Sequence, residues 1–303
     1  MPTFSDRRSF LQTCAAVAAG GVVASVVPSA RAISPIIRNG SPKFKFSLAA
    51  YSYRDLLSGA SPKLTMADFV ADCAKMGLEG TELTSYYFPK DLTPAYLRTL
   101  KKQCFELGLD VSGTAVGNDF GHPAGEKRRQ QIDSVKRWVD YAEILGAPVI
   151  RVFAGHAQKE STPEQSHALM VSALEECCEY AGQHGVFLAL ENHGGPTATA
   201  DGLLSFVRDV KSPWFAVNLD TGNFNSEDIY GDLAKAAPYA VNVQVKVVVS
   251  GPDKKKQPSD FGRLAKILRD SGYRGYIVLE YEEAGDPRVE CPKFLDQLRT
   301  AFA

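Results

Sequence analysis

The 303-residue chain has almost no excess of either charge, since 34 Lys and Arg residues stand against 35 Asp and Glu residues. The formal net charge is −1, and no basic face stands out. Proteins that bind nucleic acid use such faces to contact phosphates. The charge pattern therefore argues against a nucleic-acid partner.

Long apolar runs are missing beyond residue 32, and the Ala-, Gly- and Val-rich stretch at 15–27 is too short for a secure membrane span. The paired Arg7 and Arg8, followed by Phe-Leu, precede this stretch, and the small-residue sequence Ala-Arg-Ala follows it at 30–32. This pattern resembles a twin-arginine export signal. We therefore predict a signal peptide at 1–32 that the twin-arginine export machinery recognises. A periplasmic or otherwise extracytoplasmic location without stable membrane insertion follows from it; an uncleaved leader that acts as an anchor is the alternative.

The cysteines do not form a disulfide pattern. The chain has six, and one of them, Cys14, lies in the predicted signal peptide. The others are an odd number, and two are adjacent on one predicted helix, which does not suit a disulfide framework. We expect them to be buried free thiols, because unpaired cysteine packs as a small apolar residue.

After residue 43, short apolar runs alternate with longer amphipathic segments, and no shift in composition divides the chain. Strands are predicted at 44–51, 80–83, 110–115, 149–153, 187–191, 215–220, 241–247 and 276–280. Helices are predicted at 65–76, 93–107, 126–145, 163–184, 199–210, 227–236, 260–271 and 292–302. This alternation predicts a parallel sheet that closes into a (β/α)8 TIM barrel, an α/β fold, at 44–303, after a linker at 33–43. An open doubly wound sheet is the alternative, although no Gly-x-Gly-x-x-Gly turn follows the first strand.

Local signals support these helix limits. Residues that can cap a helix start, among them Thr65, Thr93 and Thr162, precede predicted helices. Glycines follow five predicted helix ends, at positions 77, 108, 146, 185 and 272. Two independent kinds of signal therefore define the helix boundaries.

Four oxygen-bearing side chains lie at or near the ends of four consecutive predicted strands: Glu191, Asp220, Gln244 and Glu280. A carboxylate at the end of a buried strand must be paired or metal-bound to offset its desolvation. Carboxylate and amide oxygens suit Mn²⁺ or Mg²⁺. Because functional groups of such barrels collect at the carboxyl ends of the strands, we predict one divalent-metal site there.

Three sequence segments resemble a known family: Leu-Glu-Asn-His-Gly-Gly at 190–195, Leu-Asp-Thr-Gly-Asn at 219–223 and Gly-Tyr-Ile-Val-Leu-Glu-Tyr at 275–281. They resemble the sugar phosphate isomerase/epimerase family of xylose isomerase-like TIM barrels. The resemblance implies one ion held by Glu191, Asp220, Gln244 and Glu280, with Mn²⁺ favoured over Mg²⁺, Co²⁺ or Zn²⁺. Gln244 departs from the histidine of many members, which affects the choice of substrate more than the prediction of a metal.

The resemblance also implies an isomerase or epimerase that acts on a ketose or a keto-sugar derivative, and the predicted signal peptide implies that this enzyme is exported. In such enzymes a metal beside the sugar carbonyl acidifies the neighbouring C–H, and proton abstraction gives an enediolate. Glu191 and Glu280 are the predicted acid–base pair. A lyase or dehydratase that uses the same site on a 3-keto-glycoside or a dehydrated sugar acid is one alternative. A non-catalytic carbohydrate-binding barrel is another.

Further side chains are candidates for contact with the carbohydrate substrate because they lie in or after the predicted strands, on the active face. On the seventh predicted strand, the alternation of side chains places Asn242, Gln244 and Lys246 toward the barrel interior. The complete set of predicted substrate-binding residues is His193, Lys246, Glu82, Asn223, Asn118 and His156. For Lys246, a structural ion pair with Glu191 or Glu280 is the alternative.

Overall fold

The computed structural model describes residues 33–159 and 161–303, so the predicted export signal lies outside the described residues. The strands of this part of the chain are β1 Lys43–Ala49, β2 Gly80–Thr84, β3 Asp110–Ala115, β4 Val149–Val152, β5 Phe187–Glu191, β6 Phe215–Asp220, β7 Ala240–Lys246, β8 Val248–Ser250, β9 Lys256–Pro258 and β10 Arg274–Glu280. Eight of them close into a parallel barrel in the order β1-β10-β7-β6-β5-β4-β3-β2. The predicted barrel is confirmed, and the open sheet is wrong because β1 pairs with both β2 and β10.

The described helices are α1 Arg54–Leu57, α2 Met66–Lys75, α3 Pro94–Glu106, α4 Glu126–Leu145, α5 Pro163–Gln183, α6 Ala200–Asp209, α7 Ile229–Ala236, α8 Phe261–Asp270 and α9 Pro287–Phe302. The predicted caps of α2 and α5 are present: the side chains of Thr65 and Thr162 each accept a hydrogen bond from a backbone N–H within a capping box. Gly146 ends α4 in the left-handed conformation, with φ 77°. None of the described helices is long and apolar enough to cross a bilayer.

Three features differ from the prediction: the last helix, the hairpin of β8 and β9, and the four-residue helix α1, which was not predicted. The last helix begins at Pro287 and not at 292, because the Asp286 side chain accepts the N–H of Arg288 and Pro287 suits the first turn. Pro292 therefore lies inside this helix. The hairpin of β8 and β9 follows β7 directly and was not predicted, because its strands have only three residues each.

The core lies between the barrel and the surrounding helices. On β7, Val243 and Val245 are fully buried and belong to this core. The alternate residues Asn242 and Gln244 point inward, because both donate hydrogen bonds to Glu82 on β2, a strand that does not adjoin β7. The predicted alternation on β7 is therefore confirmed. The cysteines of the described residues are all buried free thiols, as expected.

Candidate active site

Three buried carboxylates mark the carboxyl end of the barrel. Glu191, Asp220 and Glu280 are the last residues of β5, β6 and β10, and their relative exposures are 3%, 0% and 5%. All three strands are parallel members of one barrel, so the fold brings these charges to one rim. Carboxylates removed from water need cationic or metal partners, and this need organises the rest of the site.

Lys246 is one of the two buried cations among the described residues. Its Nζ lies 2.7 Å from Glu280 Oε2, 2.9 Å from Glu282 Oε2 and 3.5 Å from Asp220 Oδ2. Burial alone would lower the pKa of Lys246, but the Asp220 and Glu280 carboxylates outweigh it and raise the pKa well above its ordinary value. Lys246 therefore stays charged. Of the two roles predicted for Lys246, a substrate contact and an ion pair with Glu191 or Glu280, the structure shows the ion pair with Glu280.

Arg151 is the second buried cation, and it lies on β4. Its Nε is 2.9 Å from Glu191 Oε2, and both side chains are almost fully buried. The amide of Asn223 donates to the other Glu191 oxygen at 2.9 Å. Burial raises the pKa of Glu191, and Arg151 opposes that rise. Both Glu191 oxygens are thus held, one by a charge and one by an amide.

Asp220 and Glu280 respond differently to their surroundings. Burial raises the pKa of Asp220 well above its ordinary value, and Lys246 compensates only in part. For Glu280, burial also acts to raise the pKa, but the ammonium group of Lys246 outweighs it and the pKa is lowered. Asp220 Oδ2 is buried and has no hydrogen-bond partner. At the rim, the negative charge of Glu280 is therefore well compensated by Lys246, whereas that of Asp220 is under-compensated.

Gln244 lies lower in the barrel than Lys246, in a buried polar ring. Its Nε2 donates to Glu82 Oε1 at 2.6 Å, and its Oε1 accepts from Asn218 Nδ2 at 2.6 Å. Asn242 Nδ2 donates both to Glu82 Oε2 at 2.7 Å and to Asn218 Oδ1 at 2.8 Å. Burial, followed by the charge of Glu280, raises the pKa of Glu82 to about 7. Glu82 was predicted to contact substrate; the structure instead places it in the barrel interior, with both oxygens occupied.

The remaining predicted substrate-binding residues are distributed unevenly. Asn118 exchanges two hydrogen bonds with the backbone of Phe153, which ties the loops after β3 and β4 together. The side chain of His156 is 84% exposed and lies 3.2 Å from Asp119. Asn223 lies beside Glu191, and the ring centroid of His193 is 4.5 Å from that of Phe153. Asn118 is thus engaged in joining loops, and His156 is engaged with a carboxylate in a loop.

Aromatic side chains border the site on the side of β1 and β2. Tyr51, Tyr86 and Tyr87 contact one another, with ring centroids 6.1–6.5 Å apart. Lys246 Nζ lies 6.0 Å from the centroid of the Tyr51 ring, so this aromatic wall adjoins the charged groups. A cavity of about 210 Å³ opens between β7, β10 and the β8–β9 hairpin. Its lining includes Asn223, Lys246, Lys256, Glu280, Glu282 and Glu283.

Two residues of the site were not predicted from the sequence. Arg151 interrupts the apolar strand Val149–Val152, and a charge at that place is a signal of a buried partner. Glu282 follows Glu280 by two residues, so it has the same parity along the chain. Arg151 was detectable in principle, because it departs from the apolar pattern of its strand in the way that Glu191 does.

The donor set of the rim suits a divalent cation. Glu191, Asp220 and Glu280 offer carboxylate oxygens, and Asp220 Oδ2 is buried without a hydrogen bond. Across residues 33–159 and 161–303, however, no three His, Cys, Asp or Glu side chains are grouped so that they could hold a metal ion. Glu191 is turned to Arg151, and Glu280 to Lys246. The predicted ligands therefore have the oxygen donors that a divalent cation needs. Their side chains would have to rotate toward a common point to bind it, so the metal site stays a prediction.

Comparisons with known proteins agree with this architecture. Residues 70–298 match the sequence model of the xylose isomerase-like TIM barrel family. Fructoselysine 3-epimerase from Shigella flexneri is 21% identical over 248 residues, which cover 75% of this chain and 90% of that protein. Two solved structures are 18% identical. D-psicose 3-epimerase from Clostridium cellulolyticum H10 has a TM-score of 0.70 and covers 85% of this chain and 99% of its own. The 3-keto-D-glucoside 4-epimerase from E. coli has a TM-score of 0.67 and covers 86% and 99%.

Proposed function

Because the chain belongs to the xylose isomerase-like TIM barrel family, we propose that it is a divalent-metal-dependent isomerase or epimerase of a ketose or keto-sugar derivative. The observation that carries the proposal is the set of three buried carboxylates at one rim of the barrel, compensated by only two buried cations. A barrel that merely bound carbohydrate would not need this concentration of buried charge, which is expensive to desolvate. Perturbed carboxylates of this kind are typical of acid–base sites.

Glu191, Asp220, Gln244 and Glu280 would hold the ion, with Mn²⁺ favoured. A divalent ion bound there supplies Lewis acidity, which lowers the pKa of the C–H beside a sugar carbonyl. Asp220 is the best-suited single ligand, because its Oδ2 is buried and has no hydrogen-bond partner. Gln244 adds a neutral oxygen, which keeps the donor set suited to a hard cation.

The protein's own groups then move the proton. Glu191 and Glu280 come from β5 and β10, and in the proposal one takes the proton from the sugar carbon while the other returns one. Lys246 keeps Glu280 ionised at neutral pH, because it lowers the pKa of that carboxyl group. Asn223 and Arg151 hold Glu191 in place through its two oxygens. The aromatic wall of Tyr51, Tyr86 and Tyr87 excludes water from one side of the sugar.

The class of substrate is proposed from the similar proteins together with the polar lining of the cavity. The three similar proteins named above are 3- and 4-epimerases of sugars or sugar derivatives. In each reaction class a carbon beside a carbonyl changes configuration, which requires proton removal and return at that carbon. The cavity of about 210 Å³ beside Lys246 and Glu280 is lined mainly by charged and amide side chains, which suit hydroxyl groups.

We expect the Mn²⁺-loaded protein to introduce solvent deuterium into its substrate. Ketoses and 3-keto-glycosides are incubated with it in D2O, and each sugar is followed by proton NMR and mass spectrometry. A re-formed sugar with one deuterium beside the carbonyl supports the proposal, because reprotonation draws on solvent. An unsaturated product with a released group identifies a lyase instead. Sugars that bind but return without deuterium or change identify a carbohydrate-binding barrel and contradict the proposal.

A further inference from the structure

A closed ring of hydrogen bonds lies beneath the carboxylate rim, and of its four members only Gln244 has a part in the proposed reaction. Its members are Glu82, Asn218, Asn242 and Gln244, whose relative exposures are 0%, 0%, 2% and 1%. Its four hydrogen bonds are 2.6–2.8 Å long and connect β2, β6 and β7 across the barrel interior. Buried polar groups of this kind hold one arrangement when every partner is satisfied.

The four hydrogen bonds of the ring can all form at once only if Glu82 accepts two of them. Asn242 donates through the same Nδ2 atom to both of its neighbours, whereas Asn218 and Gln244 each donate once and accept once. One member must then accept twice, and an ionised carboxylate does so because it has no proton to donate. An amide at position 82 would offer one donor and one acceptor, so at least one contact of the ring would be lost.

This donor count determines the orientation of the Gln244 amide. Since Glu82 only accepts, Gln244 presents its NH2 group to β2 and its oxygen to Asn218 on β6. β6 is the strand that ends in Asp220, and Asp220 is paired in register with Gln244. The Gln244 oxygen accepts one hydrogen bond and keeps a second lone pair. It is therefore held on the side of the barrel where the under-compensated carboxylate lies.

We propose that Glu82 is a positioning residue: its carboxylate fixes the Gln244 amide so that the amide oxygen is available to the divalent ion. This inference rests on the proposed function, since it assumes that Gln244 is a ligand. It replaces the substrate contact first predicted for Glu82. Groups that orient metal ligands contribute measurably to metal affinity even though they do not touch the ion.

The first test compares Mn²⁺ binding by the wild type and by Glu82→Gln, with the free ion measured by electron paramagnetic resonance. The substitution keeps the shape of the side chain but frees the Gln244 amide to turn over. We expect the dissociation constant for Mn²⁺ to rise ~10–100-fold. Ser112→Ala is the matched control, because it removes a buried 2.7 Å hydrogen bond to Ser47 that does not involve the ring; its affinity should equal that of the wild type.

The second test exchanges the carboxylate and the amide, in the double variant Glu82→Gln with Gln244→Glu. Position 244 then accepts twice, position 82 donates once and accepts once, and every contact of the ring is satisfied again. We expect the exchange variant to regain the Mn²⁺ affinity of the wild type or exceed it. If the role of Glu82 is merely structural, the exchange variant should regain the wild-type melting temperature in metal-free buffer but not the wild-type affinity for Mn²⁺.

The outcomes separate the two proposals. A wild type that binds no Mn²⁺ contradicts the proposed function itself. A wild type that binds, with Glu82→Gln binding equally well, overturns only the role of Glu82. If Glu82→Gln does not fold, the exchange variant decides: folding with bound Mn²⁺ supports the role, and folding without Mn²⁺ binding, or failure to fold, overturns it.

Discussion

Replacing Glu280 with glutamine is expected to lower kcat by ~10²–10⁴-fold, the usual contribution of a positioned acid–base group. The amide cannot take up the proton of the sugar carbon, although it has the same shape as the carboxyl group. Folding should persist, because Lys246 keeps Glu282 at 2.9 Å and Asp220 at 3.5 Å as partners. The measurement is kcat on whichever sugar exchanges deuterium with solvent, together with the melting temperature.

The comparison variant for Glu280 is Glu106→Gln. Glu106 lies on α3, where it pairs with Lys102 3.2 Å away, and its side chain is 58% exposed. Removing an exposed carboxylate of this kind changes the free energy of unfolding by only ~0.2–1 kcal/mol. Because Glu106 does not contact the site, kcat should stay at the wild-type value. A Glu280→Gln variant that is folded and retains the kcat of the wild type would show that Glu280 is not part of the acid–base pair.

Replacing Arg151 with methionine is expected to destabilise the fold by about 3–5 kcal/mol, as measured by chemical denaturation in the presence of a chelator. The loss is large because Glu191 then keeps a buried charge without its cation. The guanidinium group also donates to the carbonyl of Val116 at 3.1 Å, and this contact is lost as well. Burial already raises the pKa of Glu191, and loss of the Arg151 guanidinium, which opposes that rise, should raise it further.

Two further variants test whether the effect of Arg151 arises from burial. Arg129 pairs with Glu176 at 2.6 Å, but its side chain is 54% exposed, so Arg129→Met should lower stability by only ~0.2–1 kcal/mol. Adding Glu191→Gln to Arg151→Met removes the unpaired charge and should restore much of the lost stability. If Arg151→Met is no more destabilising than Arg129→Met, the buried ion pair of Arg151 with Glu191 does not stabilise the fold in the way proposed.

The sequence predicts the barrel well because its signals are local and repeated. Caps such as Thr65 and Thr162, and glycines such as Gly146, define helix ends through backbone chemistry alone. The alternation on β7 likewise needs only the two-residue period of a strand. The predicted start of α9 at 292 was wrong because Asp286 and Pro287 form another suitable helix start upstream of it.

The site is less predictable because it depends on which distant side chains meet. The carboxylates at strand ends were found, but their partners were not: Arg151 comes from β4, and its contact with Glu191 depends on the stagger between strands. The same stagger brings Lys246 level with Glu280, while Gln244 is level with Asp220. Side-chain spacing along one strand does not reveal that register.

Metal content tests the proposal most directly. The wild type and Asp220→Asn are dialysed against Mn²⁺, freed of excess ion, and analysed for metal per chain. Asp220 is chosen because its side chain is fully buried and one of its oxygens has no hydrogen-bond partner. We predict one tightly bound ion per wild-type chain and a large loss in the variant. A folded wild type that retains no divalent ion, or a variant that retains as much as the wild type, would contradict a metal site formed by these carboxylates.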